Sequence, residues 1–153
     1  MMNISQLVAK TQKTMDSVSR KIVIETGRRL VMRSPVGDAN LWLTKVNGAY
    51  VDFLTYKSAP AGYVGGRFRG NWQHGFNAKP SGEIDVQGKG TAAVSIRAIT
   101  KGATANGAGV HFISNNLPYA QAIENGHSTQ APQGVVALTV VEFDSIVRQA
   151  VSG

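Results

Sequence analysis

A chain of 153 residues can enclose one hydrophobic core and is too short for two ordinary domains, so a single domain over 1–153 is expected. Its 42% hydrophobic and 16% charged content is that of a globular rather than a disordered chain. The lack of cysteine excludes a disulfide framework and a thiolate metal site. No stretch approaches the roughly 20 apolar residues of a membrane helix, and no basic, apolar and small-residue leader opens the chain, so the expectation is a protein made in the cytoplasm with no membrane partner. The net charge of +7 points to an anionic partner as one use of the surface.

From Asn3 to about Arg33 there is no proline and one glycine, Gly27, and apolar residues recur at Ile4, Leu7, Val8, Met15, Val18, Ile22 and Leu30. Steps of three and four predict a long amphipathic helix, which Ser34-Pro35 should end because proline pushes the residue before it out of helical geometry. This segment holds Lys10, Lys13, Arg20, Lys21, Arg28, Arg29 and Arg33 against Asp16 and Glu25, five of the seven net charges.

Residues 37–62 read as an inserted arm, with strand-like composition from Ala49 to Tyr56 that suits a hairpin. The glycine-rich Gly62–Gly70 reads as a turn leading into a strand over Gly70–Ala78, with Trp72, His74 and Phe76 on one face. Pro80-Ser81-Gly82 is a turn. Thr91–Ile99 fits a short helix burying Ala92, Val94, Ile96 and Ile99 in part, with strand alternation as the competing pattern. Lys101–Gly109 reads as a flexible turn and Val110–Ser114 as a strand. Tyr119–Glu124 is a short helix stopped at Asn125-Gly126. From about Gln133, Val136, Val140, Phe143, Val147 and Ala150 trace a terminal amphipathic helix. The expected class is α+β: a long amino-terminal helix, a small antiparallel sheet and a carboxy-terminal helix packed on it.

Catalytic patterns are scarce. His74, His111 and His127 show no ligand-like spacing, and a lone strand histidine is more often structural than a ligand. No serine lies in a GxSxG elbow, and Glu83 and Asp85 read as a solvated strand end rather than a glycosidase pair. The glycines around Arg67 and Arg69 match neither a P-loop nor a dinucleotide fingerprint. The expectation is therefore no enzyme, cofactor or metal. The basic helix could contact DNA phosphates without reading sequence, pair with an acidic subunit, or simply be solvated.

Three stretches occur in an order that resembles the neck, or tail-completion, proteins of tailed bacteriophages. They are Ser34-Pro35-Val36, then Gly62-Tyr63-Val64-Gly65-Gly66-Arg67-Phe68-Arg69-Gly70-Asn71-Trp72, and finally Asn115-Asn116-Leu117-Pro118-Tyr119-Ala120 continuing through Glu124-Asn125-Gly126-His127 to Pro132. Gly65-Gly66 stands where many members of that family have Thr-Gly, and residues 40–58 look inserted. The resemblance implies a structural virion protein at the head-tail interface, assembled as a homo-oligomeric ring, commonly sixfold. Its partners would be the head-closure or connector protein and the tail terminator or tail tube protein, with non-specific contact to DNA in the lumen. The alternative is a small, basic, sequence-independent DNA-binding protein. Candidate subunit, partner or DNA contacts are Arg20, Lys21, Arg28, Arg29, Arg67, Arg69, Glu124 and His127.

Overall fold

The computed structural model describes residues 2–38 and 61–152 in full and the backbone of 43–46 and 49–52. In chain order the elements are α1 (Ile4–Arg33), β1 (Leu43–Val46), β2 (Ala49–Asp52), α2 (Arg67–Gly70), β3 (Trp72–Phe76), α3 (Thr91–Ala105), β4 (His111–Asn115), α4 (Ala120–Glu124), α5 (Val136–Val141) and α6 (Phe143–Ser152). The class is α+β, with the long first helix, a small antiparallel sheet and carboxy-terminal helices.

The first helix begins and ends on local chemistry. Asn3 and Gln6 form a capping box, each side chain accepting the other's backbone N–H, at 2.9 and 3.0 Å, which satisfies donors left open by the first turn. At the other end Ser34 is extended, with ψ 130°, as a residue before proline should be. The helix is about 45 Å long at 1.5 Å per residue, and residues 2–15 are all exposed. Only from Val23 onward does it enter the core, through Val23, Gly27, Leu30 and Val31.

There α1 meets α3 at close range. A Cβ at Gly27 would lie 2.7 Å from Ile99 Cγ2, and Ile99 is almost wholly buried. Phe68 and Trp72 complete this centre, their rings 5.8 Å apart in an edge-to-face arrangement of the kind favoured by aromatic quadrupoles.

Strands β3 and β4 pair antiparallel from Trp72↔Asn115 to Phe76↔His111. The separate β1–β2 hairpin runs from Leu43↔Asp52 to Val46↔Ala49. It falls inside the predicted arm; Phe53–Tyr56 of the predicted strand lie outside the described residues.

Four expectations need correction. The approach to Trp72 is not a plain turn but a turn followed by α2, made possible by Gly66 at φ 96°, a conformation that glycine adopts without steric cost. Helix α3 does not stop near Ile99; it continues to Ala105 through Gly102. A helical glycine costs roughly 1 kcal/mol relative to alanine, but here a Cβ would fall 2.0 Å from His74 Nδ1, so its absence lets β3 pack against the helix. On the inner face of α3 Thr91, Ser95, Ile99 and Ala103 are buried and Ala92 and Ile96 are partly buried as expected, but Val94 is exposed.

The last correction concerns the terminal helix, which is divided at Glu142. Its carboxylate bonds Arg29 and Arg33 on α1, and the break shifts the helical phase. Val135, Thr139, Ile146 and Ala150 are buried, whereas Val136, Val140 and Phe143, expected on the inner face, are exposed. The pair α5–α6 lies along α1, and Val136, Val140 and Phe143 border a hollow that reaches Ile113 of the sheet.

Because the α1–α3 contact leaves no space for a side chain at position 27, Gly27→Val should destabilise the fold by about 1–3 kcal/mol through overpacking. Urea denaturation checks this. A midpoint equal to or above that of the unsubstituted chain would show that the helices can separate without cost.

Candidate functional site

The three stretches singled out in the sequence meet at one place. Ser34 is fully buried at the end of α1. Its hydroxyl donates to the Leu30 carbonyl at 2.7 Å and accepts from Trp72 Nε1–H at 2.7 Å. Its carbonyl accepts from Arg69 Nε and Nη2 at 3.1 and 2.7 Å, a fork that suits the planar guanidinium. The Trp72 backbone N–H donates to the buried Ser95 hydroxyl at 3.1 Å.

The third stretch closes on the same node. Asn115 Nδ2 donates to the Phe68 carbonyl at 2.8 Å, and Leu117 is buried. Gln130 embraces Val36, accepting its N–H at 3.1 Å and donating to its carbonyl at 2.8 Å. Glu124 receives the backbone N–H groups of Val135, Val136 and Ala137 at 2.8–2.9 Å. It thereby caps the first turn of α5, where helical N–H groups lack partners. Burial favours protonation of Glu124, but these three hydrogen bonds outweigh it and hold the pKa below its ordinary value. Gly134 sits so close that a Cβ there would meet Glu124 Oε1 at 2.6 Å.

The candidate contact residues divide accordingly. Arg69 and Glu124 are engaged inside the chain. Arg29 pairs with Glu25 at 3.0 Å and with Glu142, and Arg20 Nε donates to the Asn106 carbonyl at 3.2 Å. Arg67 bonds Glu83 at 2.8 Å on the surface. Lys21, Arg28 and His127 are exposed. Of the basic residues on α1, Arg29 and Arg33 are turned toward Glu142, while Lys21 and Arg28 face solvent.

Sequence spacing missed one cluster. His74 Nε2 lies 2.8 Å from His111 Nδ1, and His111 Nε2 lies 2.9 Å from the Gly107 carbonyl. Since only a protonated Nε2 can donate to that carbonyl, His111 in its neutral form presents a bare Nδ1, which accepts from His74 Nε2–H. Residues 37 apart in sequence become diagonal neighbours through the β3–β4 register. No group of three or more potential metal ligands occurs among the described residues.

Two outcomes follow from these contacts. Ser34→Ala should cost about 1–3 kcal/mol, the penalty for a buried indole N–H left without a partner. Combined with Trp72→Phe, it should cost less than the sum of the two single changes; strict additivity in a double-mutant cycle would mean that the hydrogen bond contributes nothing. Burial first and the neighbouring His111 second hold the His74 pKa below 6.5. The unfolded chain therefore takes up this proton before the folded one does. Stability from this source is full above pH 6.5 and lost as pH falls through the lowered native value. His74→Gln should flatten the pH dependence of chemical unfolding in that window, and an unchanged slope would contradict the assignment.

No described helix is long and apolar enough to cross a membrane. Comparison of the chain with protein-family models, with curated proteins and with solved structures finds no match.

Proposed function

We propose that this chain is a non-catalytic structural subunit of a tailed-phage neck, a tail-completion protein that forms a homo-oligomeric, sixfold ring between the head connector and the tail. The observation that carries this reading is the convergence of the three family-like stretches on Ser34, Arg69, Trp72 and Gln130. A motif made of a helix end, a buried indole and backbone-bonded amides is a scaffold rather than a reaction centre. It fixes the relative positions of α1, α2 and the Pro118–Pro132 segment, which is what a ring subunit needs if different surfaces are to meet the head-closure protein on one side and the tail terminator or tail tube protein on the other. Arg28, Lys21, Arg67 and His127 remain at the surface as candidate partner contacts.

A second reading has its own observation. Lys10, Lys21 and Arg28 are spaced 11 and 7 residues apart on α1, close to whole helical turns, and have no partner among the described residues. A cationic line of this kind suits duplex phosphates without sequence preference, either in a ring lumen or as the whole function of a small DNA-binding protein.

Light scattering of the chain mixed with neighbouring virion proteins, followed by electron microscopy, separates the two. Entry into rings bound to a connector or tail protein is expected. If the chain joins none of them yet binds duplex DNA with an affinity that falls steeply with salt, the neck reading is overturned in favour of the second.

A further inference from the structure

The first helix carries an apolar seam that its own fold leaves uncovered. Ile4, Val8, Thr11, Met15, Val18 and Ile22 follow one another in steps of four, three, four, three and four. A strict 3.5-residue repeat on a narrow stripe is the spacing by which one helix packs along another, rather than the wider stripe of a helix lying on a globular core. Ile4 is 81% exposed, Val8 62% and Met15 52%. The carboxy-terminal half of the seam forms the floor of an open groove of about 590 Å³, walled by Ala108, His111, Ile113 and Phe143. The groove thus begins where the freely projecting part of the helix ends.

We infer that this surface binds a second copy of the same chain, the two α1 helices running antiparallel with the amino-terminal half of each lying in the groove of the other. The seam is its own complement in that direction. About a twofold axis near Lys13, Ile4 meets Ile22, Val8 meets Val18 and Thr11 meets Met15, so every layer is filled without a shift of register. Charge permits it as well. The flanking positions are Ser5, Gln12 and Ser19 on one side and Leu7, Thr14 and Lys21 on the other; the antiparallel direction places Lys21 beside Leu7 of the other copy. A parallel pair would bring the two lysines, and the two globular bodies, to the same end. The overlap is about 27 Å long, and with the groove walls it approaches the roughly 20–30 residues a side of a standard interface.

A twofold contact does not propagate around a ring that presents one face to the head and another to the tail, so this dimer describes the protein outside the virion and goes beyond the neck reading. The chain has no cysteine, and every disulfide therefore reports introduced residues. Val8→Cys and Val18→Cys chains, each purified reduced, are mixed and oxidised. A disulfide joining position 8 to position 18 should form in the mixture, while each variant alone stays largely unlinked because its equivalent cysteines lie about 15 Å apart along the seam. Val8→Asp, at an exposed position that the fold does not use, should raise the dimer Kd at least tenfold by sedimentation. Three results would overturn the inference: efficient 8–8 and 18–18 linkage, which means a parallel pair; no linkage with a wild-type chain monomeric up to high micromolar concentration; or a seam that takes up only a helix of a different virion protein. A specific 8–18 dimer that never enters a neck assembly would support the inference while removing the neck reading, and rings formed without such a dimer would do the reverse.

Discussion

A single serine at the end of a long helix joins that helix to α2 and β3. Ser34 is buried between α1, α2 and β3, and its hydroxyl and carbonyl together engage Leu30, Trp72 and Arg69. Because its hydroxyl both donates and accepts, the buried indole and the last turn of α1 satisfy one another through one atom. A buried polar group without a partner costs about 1–3 kcal/mol, so each member of this cluster constrains the others. Once Ser34 is placed, Trp72 sets the position of β3, β3 sets that of β4, and β4 delivers Asn115 and Leu117 to the same centre.

Two carboxylates perform a comparable task for the carboxy-terminal third. Glu124 fixes the start of α5 by holding three backbone N–H groups. Glu142 fixes its end by bonding Arg29 and Arg33, and the partners hold its pKa down, Arg33 more than Arg29. Between these two points a helix made largely of valine is short and poorly suited to form alone. Its outward valines contribute to the hollow beside the sheet rather than to the core, and His111, Ile113 and Phe143 line both that hollow and the groove along α1.

The distribution of charge follows from the same packing. The sequence places five of the seven net charges on the first helix; its last turns place Arg29 and Arg33 against α5–α6, while Lys10, Lys21 and Arg28 remain in solvent. What is left is a cationic line and an apolar seam on different sides of one helix. A protein built this way has distinct surfaces to offer an anionic partner and a helical one.

Much of the secondary structure was legible in the residues themselves. Ser34-Pro35 and Asn125-Gly126 mark helix ends because proline geometry and the left-handed cap act within a few residues, and the Trp72 strand announces itself by alternation. The continuation of α3 through Gly102, the break at Glu142 and the inner face of α5–α6 were not legible. Each depends on a residue far away in sequence: His74 against Gly102, and Arg29 and Arg33 with Glu142. The same holds for the candidate contacts, since nothing near Arg69 or Glu124 in the sequence indicates that their partners are Ser34 and the Val135–Ala137 backbone. The sequence determined the class, the ends of α1 and α4 and the three stretches that meet; tertiary structure alone decided which charges and which apolar faces were left for a partner, because burial is a property of what packs across the fold and not of what lies beside a residue in the chain.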